Sequence, residues 1–226
     1  AELHDLDSDD DLDLLIGSRL DGCYTIENIG TRSEPRWSAE TVPLATTEGT
    51  PIGGWDYGSN AHVYDWDHDG ASDLLVGSED GGVFWHRNEG SETTPTYGPV
   101  QTLIPPMTRD EMFTKLAVPI RVGSRCKVHA ADWDGDGLTD LLVGDFGSTW
   151  HKVRDLTEEQ VEERTMISAK LDALSEEAMP LWNAETLTPS QAARRDEIDA
   201  TIGQLYERLE PLETHEHDSH GWVWLY

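Results

Sequence analysis

The chain has 226 residues, 37% of them apolar, and carries 45 acidic side chains against 16 basic ones, a net charge of −29. That length holds one or two domains with a core of their own, and so negative a surface repels nucleic acid and anionic membranes. No apolar run approaches the ~20 residues that cross a bilayer, so no membrane insertion is expected; no leader-like segment opens the chain, which begins part-way into a repeat and reads as a fragment.

The first element met is an acidic phrase, DLDSDDDLDLLIG at Asp5–Gly17. It returns as DWDHDGASDLLVG at Asp65–Gly77 and as DWDGDGLTDLLVG at Asp132–Gly144. In each copy aspartates stand at loop positions 1, 3, 5 and 9, and an apolar run follows. Carboxylates at that density repel one another unless a cation lies between them, and a hard, oxygen-loving ion with several ligands, Ca²⁺, fits best. The expected ligands in the first loop are Asp5, Asp7, Asp9, the carbonyl of Asp11, and Asp13. In the second they are Asp65, Asp67, Asp69, the carbonyl of Ala71, and Asp73. In the third they are Asp132, Asp134, Asp136, the carbonyl of Leu138, and Asp140. Gly70 and Gly137 supply the sharp bend at position 6. The first loop has Asp10 there, which enters the left-handed region less readily, and is expected to hold its ion most weakly. Three ions offset six charges and leave about −23, so metal sites alone do not account for the acidity.

An EF-hand begins the same way but needs a bidentate Glu at loop position 12 and flanking helices. Position 12 here is Ile16, Val76 and Val143, and the flanks read as strands. A shift of 60 residues lays Asn28 on Asn88, Gly30 on Gly90, Pro35 on Pro95 and Trp37 on Tyr97 without a gap, and the third copy starts 67 residues after the second. Within the second unit, Ala61–Asp65, Asp73–Ser78, Gly82–Arg87 and Tyr97–Ile104 read as strands separated by turn signals. Four antiparallel strands per repeat is the pattern of a propeller blade. The fold class expected is mainly β, about three β-propeller blades of a partial ring with an inserted α-helical hairpin. The blades span 1–44 (partial), 45–104, and 105–153 completed by 216–226, with the acidic hairpin at 154–215.

The hairpin is recognised by its caps. Thr157 with Gln160 forms a capping box, and Val161, Leu171 and Leu174 recur at helical spacing until Pro180 stops the run. Thr188, Pro189 and Gln191 open a second helix with a stripe of Ile198, Ile202, Leu205 and Leu209 before Pro211. Between Arg154 and Glu213 lie 15 acidic and 6 basic side chains. The terminal GWVWLY, Gly221–Tyr226, reads as an aromatic outer strand of the third blade.

DWDHDGASDLLVG and DWDGDGLTDLLVG resemble the FG-GAP or VCBS type repeat of integrin-like β-propellers and many secreted bacterial proteins. The resemblance covers Ala1–Val153 and Gly221–Tyr226. It implies a propeller in which each calcium loop joins two strands of one blade, and an extracellular or periplasmic setting. It further implies a role in adhesion, ligand binding or scaffolding toward an extracellular protein or glycan ligand, with no shared catalytic residues to carry over. Two alternatives stay open: a lectin-like, carbohydrate-binding propeller, and the propeller platform of a secreted polysaccharide-degrading enzyme.

Other chemistry is weaker. His215, Glu216, His217 and His220 lack HExxH spacing and read as a solvated linker. His62 and His129 occupy matching places before the second and third loops and read as blade packing. No GxSxG, P-loop or Cys–His spacing is present. Cys23 and Cys126 show no CxxC spacing; Cys23 aligns with Val83 and reads as a buried free thiol, with pairing left open. Most of the nine tryptophans read as packing residues, those of the repeats (Trp66, Trp85, Trp133, Trp150) included.

Overall fold

The computed structural model describes residues 1–18, 22–53, 59–108, 110–111, 114–119, 121, 123–184 and 186–226. Eleven strands and two long helices are defined among them: β1 (Glu2–His4), β2 (Asp13–Ser18), β3 (Gly22–Ile26), β4 (Val42–Pro43), β5 (Ser59–Tyr64), β6 (Asp73–Ser78), β7 (Val83–His86), β8 (Gln101–Ile104), β9 (Ser124–Ala131), β10 (Asp140–Lys152), α1 (Glu158–Trp182), α2 (Pro189–Leu209) and β11 (His215–Leu225). The strands form three antiparallel sheets, ordered β1-β2-β3-β4, β5-β6-β7-β8 and β11-β10-β9. The protein is mainly β, a partial propeller of three blade-like sheets with a helical insertion. The chain divides into two compact units, one of residues 1–149 with 218–226, the other of 150–217.

In the first unit two apolar clusters lie on either side of the second sheet. Leu15, Cys23 and Ile52 meet Ala61, Val63, Leu74, Val76 and Tyr97 on one side. Leu75, Val83 and Ile104 meet Cys126, Val128, Ala130, Leu141 and Val143 on the other. Side chains alternate across a strand, so Leu74 and Val76 belong to the first cluster while Leu75 belongs to the second. Both cysteines are buried.

The second unit holds the helices. Both capping boxes form: Thr157 accepts from the Gln160 N–H while the Gln160 side chain takes the Thr157 N–H, and Thr188 and Gln191 do the same. The core of the hairpin is Ile167, Leu171, Leu205 and Leu212, with Leu174, Ile202 and Leu209 packed against it. Two sequence expectations need correction. Val161 is exposed, and the buried stripe of α1 runs through Ile167, Leu171 and Ala178. Pro180 does not stop α1, which continues to Trp182; a proline in the last turn forfeits one helical hydrogen bond, and the helix ends before more are lost. The second helix ends at Leu209 and passes into a 3-10 turn at Glu210–Leu212. Among the described residues no helix is long and apolar enough to cross a membrane.

The His215–His220 run is not a linker. It forms the first half of β11, opposite the extended end of β10. Trp150 and His217 place their ring centroids 4.6 Å apart, His151 Nε2 lies 3.9 Å from Glu216, and the Val153 N–H donates to the Thr214 carbonyl at 2.9 Å. Polar side chains are compatible with a strand whose faces are largely solvated; the ladder with β10 supplies the order.

Candidate metal-binding loops

Each acidic phrase closes a β-hairpin at the same register. His4 pairs with Asp13, Tyr64 with Asp73, and Ala131 with Asp140. The first aspartate of each loop therefore follows the last ladder residue, and the ninth begins the next strand. Loop positions 4 and 6 are left-handed in all three copies: Ser8 (φ 61°) and Asp10 (73°), His68 (59°) and Gly70 (91°), Gly135 (78°) and Gly137 (85°). Asp10 thus takes the conformation expected to resist it, at a cost of about 1–2 kcal/mol relative to glycine.

That backbone turns N–H groups toward the first carboxylate. Asp5 accepts from the N–H groups of Asp9 (3.1 Å) and Asp10 (3.2 Å), and Asp65 from those of Asp69 and Gly70, both 3.0 Å. Asp132 accepts from Gly135 (2.8 Å) and Gly137 (3.1 Å). The fifth-position carboxylate accepts from the seventh N–H each time: Asp9 from Asp11 at 3.0 Å, Asp69 from Ala71 at 2.9 Å, Asp136 from Leu138 at 2.8 Å.

The ninth aspartate anchors the loop from below. Asp73 is fully buried, and its two oxygens accept from the N–H groups of Trp66 (3.1 Å) and Asn88 (2.6 Å). Asp13 repeats this with Leu6 (3.2 Å) and Asn28 (2.8 Å), and Asp140 accepts from Trp133 at 2.8 Å. Burial pushes the Asp73 carboxyl above the ordinary carboxylate range, and burial with neighbouring aspartates does the same for Asp7 and Asp11. A site that disfavours its own negative charge is one a cation relieves.

Carboxylate oxygens of Asp5, Asp7 and Asp9 lie within 4.8 Å of one another, as do those of Asp132, Asp134 and Asp136. In the second loop the gathered set is Asp65, Asp67 and Asp73. Asp67 and Asp69 there each give an oxygen to Arg87, at 2.6 Å from Nε and Nη2 respectively. The donor set is all oxygen and anionic, the kind that suits a hard divalent cation. Asp11 Oδ1 is in addition buried without a hydrogen-bond partner.

Asn28 and Asn88 are the residues whose role sequence reasoning missed. Asn88 is buried, and its Oδ1 accepts from the N–H groups of Gly90 and Thr96, both at 3.0 Å. Its Nδ2 donates to the carbonyls of Ser72 (3.2 Å) and Ser91 (3.3 Å). Asn28 Oδ1 accepts from Gly30 (3.0 Å) and Arg36 (2.9 Å) in the first repeat. One amide thus ties the acidic loop to the connection that follows the third strand. The recurrence of this asparagine at the 60-residue offset was the available signal.

A family model described as FG-GAP-like repeat matches residues 65–143. No curated protein and no solved structure matches the chain. The matched segment opens on the first aspartate of the second loop and ends in the strand that leaves the third. Over residues 65–143 the chain is similar to the FG-GAP-like repeat.

Proposed function

We propose that the protein is a calcium-binding β-propeller repeat module of the extracellular or periplasmic space, acting in ligand binding, adhesion or scaffolding, with Ca²⁺ as a structural ion. The observation that carries this reading is the threefold loop: three aspartates in each whose oxygens converge to within 4.8 Å (positions 1, 3 and 5 in the first and third loops, 1, 3 and 9 in the second), on a backbone left-handed at the same two positions each time. The ligands assigned are the carboxylates of Asp5, Asp7, Asp9 and Asp13, of Asp65, Asp67, Asp69 and Asp73, and of Asp132, Asp134, Asp136 and Asp140. The carbonyls of Asp11, Ala71 and Leu138 complete the sets. When bound, the ion supplies the positive charge these carboxylates lack. The chain supplies the geometry: the loop N–H groups hold the first and fifth carboxylates, and the ninth aspartate, buried in the first two loops, fixes the loop to the strands.

Ion binding then stabilises the fold by about 1.4 kcal/mol for each tenfold excess over the dissociation constant. The test is thermal unfolding with excess Ca²⁺ beside chelator-treated protein, with calorimetric stoichiometry. A calcium-dependent rise in melting temperature with about three ions bound supports the reading; equal melting temperatures defeat it.

The glycan reading has one observation in its favour. Trp133, at position 2 of the third loop, is 65% exposed, whereas its counterpart Trp66 packs against the core. An exposed indole beside an ion loop suits the C–H face of a sugar ring. Calcium-dependent hits on a glycan array that vanish in Trp133→Ala would select it over a protein ligand.

A further inference from the structure

The three loops differ in what already neutralises them. Counting the phrase from position 1 to position 9, the first loop holds six aspartates (Asp5, Asp7, Asp9, Asp10, Asp11, Asp13), the second four and the third four. Only in the second is an ion pair formed among the described residues. Arg87, just beyond the end of β7, reaches the loop and divides its guanidinium between Asp67 Oδ2 and Asp69 Oδ2, each at 2.6 Å. The residue one repeat earlier is Glu27. Glu92 also approaches the second loop, but it is engaged by the N–H (2.6 Å) and hydroxyl (2.8 Å) of Ser72. In the first repeat its place is taken by Arg32, an exposed side chain. The charges at these two positions are exchanged between the repeats, and only the second arrangement sets the cation on candidate ligands.

The gathering of carboxylates follows this difference. Positions 1, 3 and 5 converge in the first and third loops, whereas in the second the ninth aspartate stands in the set with Asp65 and Asp67. Asp69 there is committed on both oxygens, Oδ1 to the Ala71 N–H and Oδ2 to Arg87. A two-armed guanidinium fits two carboxylates held side by side and keeps its charge at any physiological pH.

We propose that Arg87 is a resident counter-charge that competes with a metal ion for Asp67 and Asp69, making the second loop the weakest of the three ion sites despite its glycine at position 6. This rests on the calcium reading above. It reverses the ranking that loop sequence alone implies, in which the Asp10 loop is weakest. Loading the second loop requires Arg87 to give up a carboxylate or to share it beside a divalent cation, and the repulsion of like charges reduces affinity in either case. The metal-free loop in turn has its own cation, so this repeat depends less on calcium than its neighbours do.

The experiment is a Ca²⁺ titration of the full chain, stripped of metal, followed by the amide resonances of Asp10, Gly70 and Gly137, one in each loop. In the unaltered protein the Gly70 amide is expected to reach half-saturation at a higher Ca²⁺ concentration than the other two. Arg87→Gln is expected to lower the Gly70 midpoint by roughly tenfold, the scale of repulsion between a divalent ion and a nearby unit charge at high dielectric. The Gly137 midpoint stays in place, and the metal-free protein melts lower. Arg87→Lys, which keeps the charge without the two-armed geometry, is expected to fall between and serves where the glutamine variant folds poorly. If the Gly70 amide saturates first in the unaltered protein, or if both variants leave its midpoint unchanged, the proposal is overturned while the calcium reading stands. If none of the three amides responds to Ca²⁺, the calcium reading falls and the proposal with it.

Discussion

Replacing Asn88 by alanine removes a side chain that closes four hydrogen bonds from a buried position: two received from Gly90 and Thr96, two given to Ser72 and Ser91. Each is worth about 1 kcal/mol net, and a donor left buried without a partner costs about 1–3 kcal/mol. Gly90 and Thr96 are exposed residues, so water recovers part of that loss. The expected destabilisation is about 3 kcal/mol, or about 6–12 °C in melting temperature for a unit of this size. Scanning calorimetry in chelator isolates the hydrogen-bond contribution from any ion effect. Asn88→Asp keeps the volume and the accepting oxygen but turns a second oxygen toward the Ser72 and Ser91 carbonyls, so it is expected to destabilise as well. Ser91→Ala, which removes an exposed hydroxyl bonded to Thr93 at 3.3 Å, is expected to change stability by less than about 0.5 kcal/mol. A loss under about 1 kcal/mol in Asn88→Ala would refute the claim that this amide joins the loop to its blade.

Further outcomes follow from the packing. A methyl group on Gly77 meets the Cys126 carbonyl oxygen at 2.7 Å, whereas one on Gly144, the same repeat position, finds nothing nearer than 3.8 Å. Gly77→Ala should therefore lower stability by about 1–3 kcal/mol and Gly144→Ala should be near neutral, as equilibrium denaturation will show; equal effects would contradict the packing of β6 against β9. His86 is buried with Nδ1 against the Gly98 carbonyl at 3.0 Å, and burial lowers its pKa. The folded state then binds fewer protons than the unfolded one. The stability His86 contributes is present above the unfolded value of about 6.5 and is lost as pH falls through the lower folded value. An NMR titration of the His86 imidazole should place its midpoint below that of an unfolded-chain histidine, and a midpoint at or above about 6.5 would contradict this. Burial, with Asp145 and Asp80 nearby, pushes the Cys126 thiol up to about 12. Cys126 should resist a thiol reagent in the native protein and react once the chain is unfolded; rapid native labelling would count against its burial.

Local order was legible in the sequence because consecutive residues create it. The acidic loops could be located and numbered from aspartate spacing, since loop N–H groups and carboxylates within nine residues satisfy one another. The two helix starts could be placed from Thr157–Gln160 and Thr188–Gln191, because a capping box spans four residues. The 60-residue offset exposed the repeat, and the short apolar runs bounded by turn signals after each loop implied mainly β architecture.

Tertiary structure decided what identical phrases became. DLLVG occurs at Asp73–Gly77 and at Asp140–Gly144. In β6 it is buried on both faces, because sheets lie on either side of it; in β10 burial alternates, because only one side of that strand faces a neighbouring sheet. The same difference makes Gly77 a point of backbone contact and leaves Gly144 open. The guanidinium of Arg87 reaches Asp67 and Asp69 only because β7 lies beside β6, 18 to 20 residues away along the chain. The histidine run became a strand because the end of β10, more than 60 residues earlier, offered it an edge. Sequence periodicity records which faces of a segment are apolar. Which of those faces is covered, and by what, depends on distant segments brought alongside it, and a repeat whose copies have different neighbours makes that dependence visible.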